Sequence, residues 1–178
     1  MKQLSVIVLI LLSIAACAFS DQCLAQPRTF GGQFSLNGIE LSYQHSAGDS
    51  VFVDINAGVD FSELLGGKAS VPGCKARISY NFLFFRRHYE SGSLLLYAGP
   101  GIAVGYVRNK GDFGPMLGIC GRFGLEFNFE SRPVVFSIDM IPVLPIHMRS
   151  SGRESSLDFF RNGLLLSLSP VLGIRYRF

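Results

Sequence analysis

The chain has 178 residues, of which 48% are hydrophobic and only 16% charged, with 20 Gly, 16 Phe and no Trp, and its mean hydropathy is +0.34. A soluble domain carries about 25% charged residues, so this composition excludes a disordered tail, a coiled coil, a collagen and a highly charged nucleic-acid binder. The net charge of +3 is too small to argue for a polyanionic partner, and no nucleic acid is expected.

Lys2, the apolar run from Leu4 to Phe19 and the polar Ser20, Asp21 and Gln22 have the layout of a secretory signal peptide rather than a membrane anchor. Small residues in Cys23-Leu24-Ala25 favour cleavage after Ala25, giving a signal peptide over 1–25 and a mature domain over 26–178. Ala18-Phe19-Ser20 offers a second site after Ser20. Ile14-Ala15-Ala16-Cys17 resembles a bacterial lipobox and would make Cys17 a lipidated terminus, although such strings arise easily in apolar signal segments. The 178-residue chain less 25 leaves 153, enough for one domain. The longest remaining apolar stretch, Leu94 to Val107, contains Gly99, Pro100, Gly101 and Gly105, poor material for a membrane helix of about 20 residues. An exported, apolar, Gly-rich chain must therefore hide its hydrophobic residues in strands.

Residues 29–36 and 39–46 read as two strands joined at Asn37-Gly38, a strong hairpin signal that would set Leu36 opposite Ile39, Phe34 opposite Leu41 and Phe30 opposite His45. From 51 to 61, Val51, Val53, Ile55, Ala57, Val59 and Phe61 alternate with Phe52, Asp54, Asn56, Gly58 and Asp60. Over 74–85, Ala76, Ile78, Tyr80, Phe82 and Phe84 oppose Lys75, Arg77, Ser79 and Asn81. Residues 93–108 form a strand whose facing is ambiguous, because both parities are apolar. The clearest alternation lies in 115–130, where Leu117, Ile119, Phe123, Leu125, Phe127 and Phe129 oppose Gly118, Cys120, Arg122, Gly124, Glu126 and Asn128. Over 133–147, Val134, Phe136, Ile138, Met140, Leu144 and Ile146 oppose Ser137, Asp139 and His147; over 163–178, Leu164, Leu166, Leu168, Leu172, Ile174, Tyr176 and Phe178 oppose Ser167, Ser169, Gly173, Arg175 and Arg177. Period-two alternation is the signature of a half-buried strand.

Eight such strands, with the long loops 62–73 and 148–162 at one end and both termini at the other, predict an all-β, eight-stranded antiparallel up-and-down transmembrane barrel. A lipocalin-like barrel is also eight-stranded but turns its apolar face inward. The polar face decides between them: it is mostly Gly, Ser, Asn and Gln, with Glu40, Asp54, Asp60, Glu126 and Asp139 matched by Lys75, Arg77, Arg122, Arg175 and Arg177. Balanced charges suit an interior network that fills a narrow barrel, since buried charges need partners.

The chain ends Ile174-Arg175-Tyr176-Arg177-Phe178, and with Tyr97-Ala98-Gly99-Pro100-Gly101 and Phe136-Ser137-Ile138-Asp139-Met140-Ile141-Pro142 the mature sequence resembles the outer-membrane β-barrel domain proteins common in Bacteroidetes, similar in size to small OmpX- and OmpA-type barrels. The resemblance covers about residues 28–178. It implies the outer membrane of a Gram-negative bacterium, lipids and lipopolysaccharide as surroundings, and recognition of the terminal Phe178 by the barrel-assembly machinery. The lack of Trp leaves Tyr43, Tyr97 and Tyr176 for one aromatic girdle and Tyr106 for the other.

Candidate chemistry is sparse. His45, His88 and His147 share no metal-ligand spacing. His147 with Ser150, Ser151 and Glu154 could form a base, nucleophile and acid at the outer rim, as in lipid A deacylases, but the residue two beyond His147 is Arg149, which cannot be the nucleophile. Glu40, Asp54 and Asp139 are read as salt-bridge partners of Arg77, Arg122 and Arg175 rather than as acid–base pairs. Gly99-Pro100-Gly101 marks a kink or a close strand approach, not a phosphate cradle. Arg149, Arg153 and Arg161 could meet lipopolysaccharide headgroups, and the apolar Leu157, Phe159 and Phe160 sit in the same loop. No catalytic residue, cofactor-binding residue, metal ligand or cofactor is assigned. The expected role is structural or adhesive, with loops 62–73 and 148–162 offered to an extracellular partner; a lipid A acyl hydrolase and a small gated channel are the alternatives.

Overall fold

A computed structural model describes residues 28–36, 38–61, 73–109, 112–151, 154–159 and 169–178. The signal segment with its cleavage sites, and nearly all of loop 62–73, lie outside them. The described chain is entirely β: β1 (Arg28–Ser35), β2 (Gly38–Gly48), β3 (Val51–Asp60), β4 (Gly73–Tyr89), β5 (Gly92–Asn109), β6 (Asp112–Phe129), β7 (Val134–Met140), β8 (Val143–Ser151), β9 (Glu154–Phe159) and β10 (Pro170–Arg177). Sequential strands pair antiparallel from β1 through β6, and β1–β10, β10–β7 and β7–β6 pairing closes the ring. β7 and β8 both pair with β6 and are halves of one strand, interrupted at Ile141 and Pro142; β9 and β10 lie beside them in the same way. The barrel therefore has eight strand positions, closed into a ring by the β1–β10, β10–β7 and β7–β6 pairings, while β9 pairs with β8 among the described residues.

The stagger of the ring can be read from its registers. From Gln33 on β1, partners followed through β2, β3, β4 and β5 reach Met116 on β6, while partners followed through β10 and β7 reach Glu126, ten residues further along. A shear of ten residues over eight strands, at about 3.3 Å per residue and 4.7 Å per strand, tilts the strands by about 40°. A barrel of this size is just wide enough to be filled by its own side chains.

Alternation sorts the residues as the sequence predicts: Phe30, Leu41, Ile55, Ile78, Phe82, Ile119, Phe123, Ile138 and Ile174 point out, while Gln33, Glu40, Asp54, Arg77, Arg122, Asp139 and Arg175 are buried inside. The ambiguous strand is settled as well. In β5 the odd residues face in, with Tyr97, Ala103 and Val107 buried, and Ile102, Val104 and Tyr106 face out.

Three expectations are corrected. The first hairpin reverses before Gly38, not after it: Ser35 pairs with Gly38 and Phe34 with Ile39. Gly38 is needed inside β2, where a Cβ would collide with the carbonyl oxygen of Val59 on β3. Facing survives because the pairing slips by an even number of residues. Second, much of the loop 148–162 is strand: β8 runs to Ser151 and pairs with β9 from Ser151–Glu154 to Ile146–Phe159, extending the wall beyond its expected rim. Third, Tyr97 is no girdle residue, since its ring is wholly inside the barrel. Phe residues supply much of the aromatic surface instead, with Phe127, Phe129 and Phe136 packed edge to face and Phe84 stacked on Phe123.

Candidate functional site

The polar parity of each strand delivers charges to the lumen at heights fixed by register, where low dielectric makes pairing necessary. Asp54 of β3 is ion-paired with guanidinium groups on two other walls, Arg122 of β6 at 2.6 Å and Arg175 of β10 at 3.2 Å. Arg122 also reaches Asp139 of β7 at 2.9 Å, and Arg175 reaches Glu126 of β6 at 2.8 Å. Neutral groups complete this belt: the Tyr97 hydroxyl donates to Asp139, Ser137 donates to Asp139 at 3.1 Å, and Asn128 donates to Glu126 at 2.9 Å. The Tyr97 ring packs edge-on against Phe52 at 4.8 Å, with the Arg122 guanidinium 5.5 Å from its centroid. The ion pairs span the lumen from β3 to β6 and β10.

A second cluster lies toward the end away from the termini. Lys75 meets Glu40 at 3.2 Å and Asp60 at 3.1 Å, and Arg77 meets Glu40 at 2.5 Å. Nine of the ten charges expected in the interior are thus in ion pairs. Arg177 instead donates to the backbone carbonyl of Phe129 at 3.1 Å. Glu40, Asp54 and Asp139, expected to bridge to the set Arg77, Arg122 and Arg175, do so: Glu40 meets Arg77, Asp54 meets Arg122 and Arg175, and Asp139 meets Arg122.

At the end carrying the termini, the lumen opens into a cavity of about 220 Å³, lined among others by Thr29, Gln44, Phe52, Arg86, His88 and Glu126. Its floor is the Glu126 side of the ion-pair belt.

The other residues singled out in the sequence are dispersed. His147 is buried inside, with Nε2 3.1 Å from the Val107 carbonyl oxygen, and so faces the lumen rather than the outer surface. The side chains of Ser150, Ser151 and Glu154 lie outside the described ones, as do those of Arg149, Leu157 and Phe159; Arg153, Phe160 and Arg161 lie wholly outside the described residues. His45 and His88 belong to β2 and β4, and among the described residues no three His, Cys, Asp or Glu side chains come together. Gly99-Pro100-Gly101 stays in strand β5, paired to Arg122, Gly121 and Cys120, and marks a close approach to β4, where a Cβ on Gly99 would collide with the Tyr80 carbonyl oxygen. Cys74 is exposed outside and Cys120 buried inside, both as free thiols. Sequence reasoning missed Tyr97 as a lumen ligand, because the apolar character of both β5 parities hid its direction. The last residue, Phe178, is 59% exposed on the outer face, and its backbone closes the β1–β10 seam by exchanging hydrogen bonds with Arg28 at 3.0 and 3.3 Å.

No family model matches the chain, and no curated protein matches it. Among solved structures, the N-terminal β-barrel domain of Pseudomonas aeruginosa OprF is similar, at 13% identity and a TM-score of 0.48, over 85% of this chain and 96% of that one.

Proposed function

We propose that this chain is an integral outer-membrane β-barrel whose role is structural or adhesive, without enzymatic activity and without a diffusion path. The observation that carries the reading is the inversion of the usual protein surface: a continuous apolar exterior around a lumen spanned by buried ion pairs. On β5 the outward apolar run extends from Leu94 to Tyr106; at about 3.3 Å per residue and a tilt of about 40° it rises about 30 Å, the thickness of a bilayer's hydrocarbon core. A soluble protein does not leave apolar patches of that extent in water.

In this reading the termini face the periplasm, the terminal Phe178 is offered to the barrel-assembly machinery, and the opposite end, with loop 62–73 and the β8–β9 hairpin within 148–162, meets lipopolysaccharide or an extracellular partner. Two measurements test it. The unboiled protein should migrate differently from the boiled protein on an SDS gel, and purified barrel in planar bilayers should produce no conductance steps. Absence of the mobility difference overturns the membrane reading; regular conductance steps overturn the closed lumen and favour the channel.

A further inference from the structure

The termini-side rim carries two irregularities that face each other. β2 has an extra residue between Ser46 and Gly48 in its pairing with β3, and β4 has one between Leu83 and Phe85 in its pairing with β5. The Leu83 amide donates to the Ser50 carbonyl at 2.7 Å, tying the β2–β3 turn to the β4 bulge. A bulge resets the facing of everything beyond it. Here it turns two consecutive aromatic rings outward, with Phe84 58% and Phe85 42% exposed, and carries Arg86 to the lumen side.

The consequence is a continuous recess over the rim. An outer depression of about 320 Å³ is lined by Asp49, Ser50, Leu83, Phe84, Phe85 and Arg86, and Asp49, Ser50, Leu83 and Arg86 also line the mouth cavity. Arg86 sits where the two meet. Its guanidinium donates to the backbone oxygen of Asp49 at 3.2 Å, a neutral acceptor, and it belongs to no ion pair among the described residues. Asp49, an acidic residue, lines the same recess. One cation, one anion and two lipid-facing rings therefore stand together.

We propose that this rim binds the headgroup of a zwitterionic phospholipid bearing a primary ammonium, with the phosphate on Arg86, the ammonium on Asp49 and the start of an acyl chain along Phe84 and Phe85. The site rests on the membrane-barrel reading. A soluble zwitterion would satisfy the two charges but leave the rings unused, whereas a lipid engages both.

The test is native mass spectrometry of the folded barrel from micelles doped with equal amounts of phosphatidylethanolamine, phosphatidylcholine and phosphatidylglycerol, for wild type, Arg86→Gln and Asp49→Asn. Wild type should retain phosphatidylethanolamine preferentially; Arg86→Gln should lower its retention by about tenfold, the effect of one lost charge-assisted hydrogen bond; Asp49→Asn should erase the preference over phosphatidylcholine. Equal retention of all three lipids by wild type, or variants indistinguishable from it, overturns the site, and a phosphatidylglycerol preference that survives Asp49→Asn overturns the headgroup assignment. The boiled and unboiled mobilities of the same samples separate the two ideas: a folded barrel without lipid preference removes the site alone, while a chain with no folded form removes the membrane reading and the site with it.

Discussion

Arg175→Met probes the lumen most directly. Arg175 is almost completely buried, and its guanidinium serves Asp54 at 3.2 Å, Glu126 at 2.8 Å and the Ser42 hydroxyl at 3.3 Å. Met keeps much of the volume and removes the charge. Asp54 then retains Arg122 at 2.6 Å, but Glu126 is left with only the Asn128 amide at 2.9 Å. Removing one partner of a buried pair costs about 3–5 kcal/mol, because the other charge stays buried and uncompensated. Arg177→Met, which loses a single bond to a backbone oxygen, should cost about 1 kcal/mol. The double variant Arg175→Met/Glu126→Leu should recover most of the loss, since replacing a whole buried pair by apolar groups is close to neutral. The chain has no Trp, so unfolding is best followed in urea by far-ultraviolet circular dichroism and by the folded fraction on unboiled gels. If Arg175→Met costs no more than Arg177→Met, or the double variant is as unstable as the single one, the lumen is wet and the argument for a closed, ion-paired interior fails.

Three further outcomes follow from the packing. Gly124→Ala should destabilise by about 1–3 kcal/mol, because the new methyl group would meet the Asp139 carboxylate and the Tyr97 ring, whereas Gly121→Ala, which meets only the Pro142 ring at 3.7 Å, should lie within about 0.5 kcal/mol of wild type in the same urea titration. Tyr97→Phe deprives buried Asp139 of a hydroxyl donor and should cost about 1–3 kcal/mol; equal urea midpoints would show that Arg122 and Ser137 satisfy Asp139 alone. Ile138→Lys places a charge on the outer face opposite Leu172 and Leu125 and should cost about 2–4 kcal/mol of folding free energy in lipid vesicles; unchanged insertion would mean that this face does not meet hydrocarbon.

Much of the architecture is legible in the sequence because alternation is a local property: each residue's side of a strand is set by its parity, so the outward rows of β3, β4 and β6 and the inward Asp54, Arg77, Arg122 and Asp139 can be read without coordinates. The balance of acids and bases likewise announces ion pairing, since unpaired charges could not stay inside. What alternation cannot supply is height. Which acid meets which base across the lumen depends on closure of the ring with its ten-residue stagger, and this brings Asp54 between Arg122 and Arg175, which lie far from it in the chain. For the same reason Tyr97 was invisible as a partner of Asp139: in β5 both parities are apolar, and only pairing with β4 and β6 fixes which one turns inward. The turn before Gly38 and the bulge at Phe84 are decided by contacts with the neighbouring strand, and the β8–β9 hairpin lies where the sequence read as loop. Parity belongs to the chain alone, whereas register belongs to the pairs of strands, and the lumen chemistry of this barrel is a matter of register.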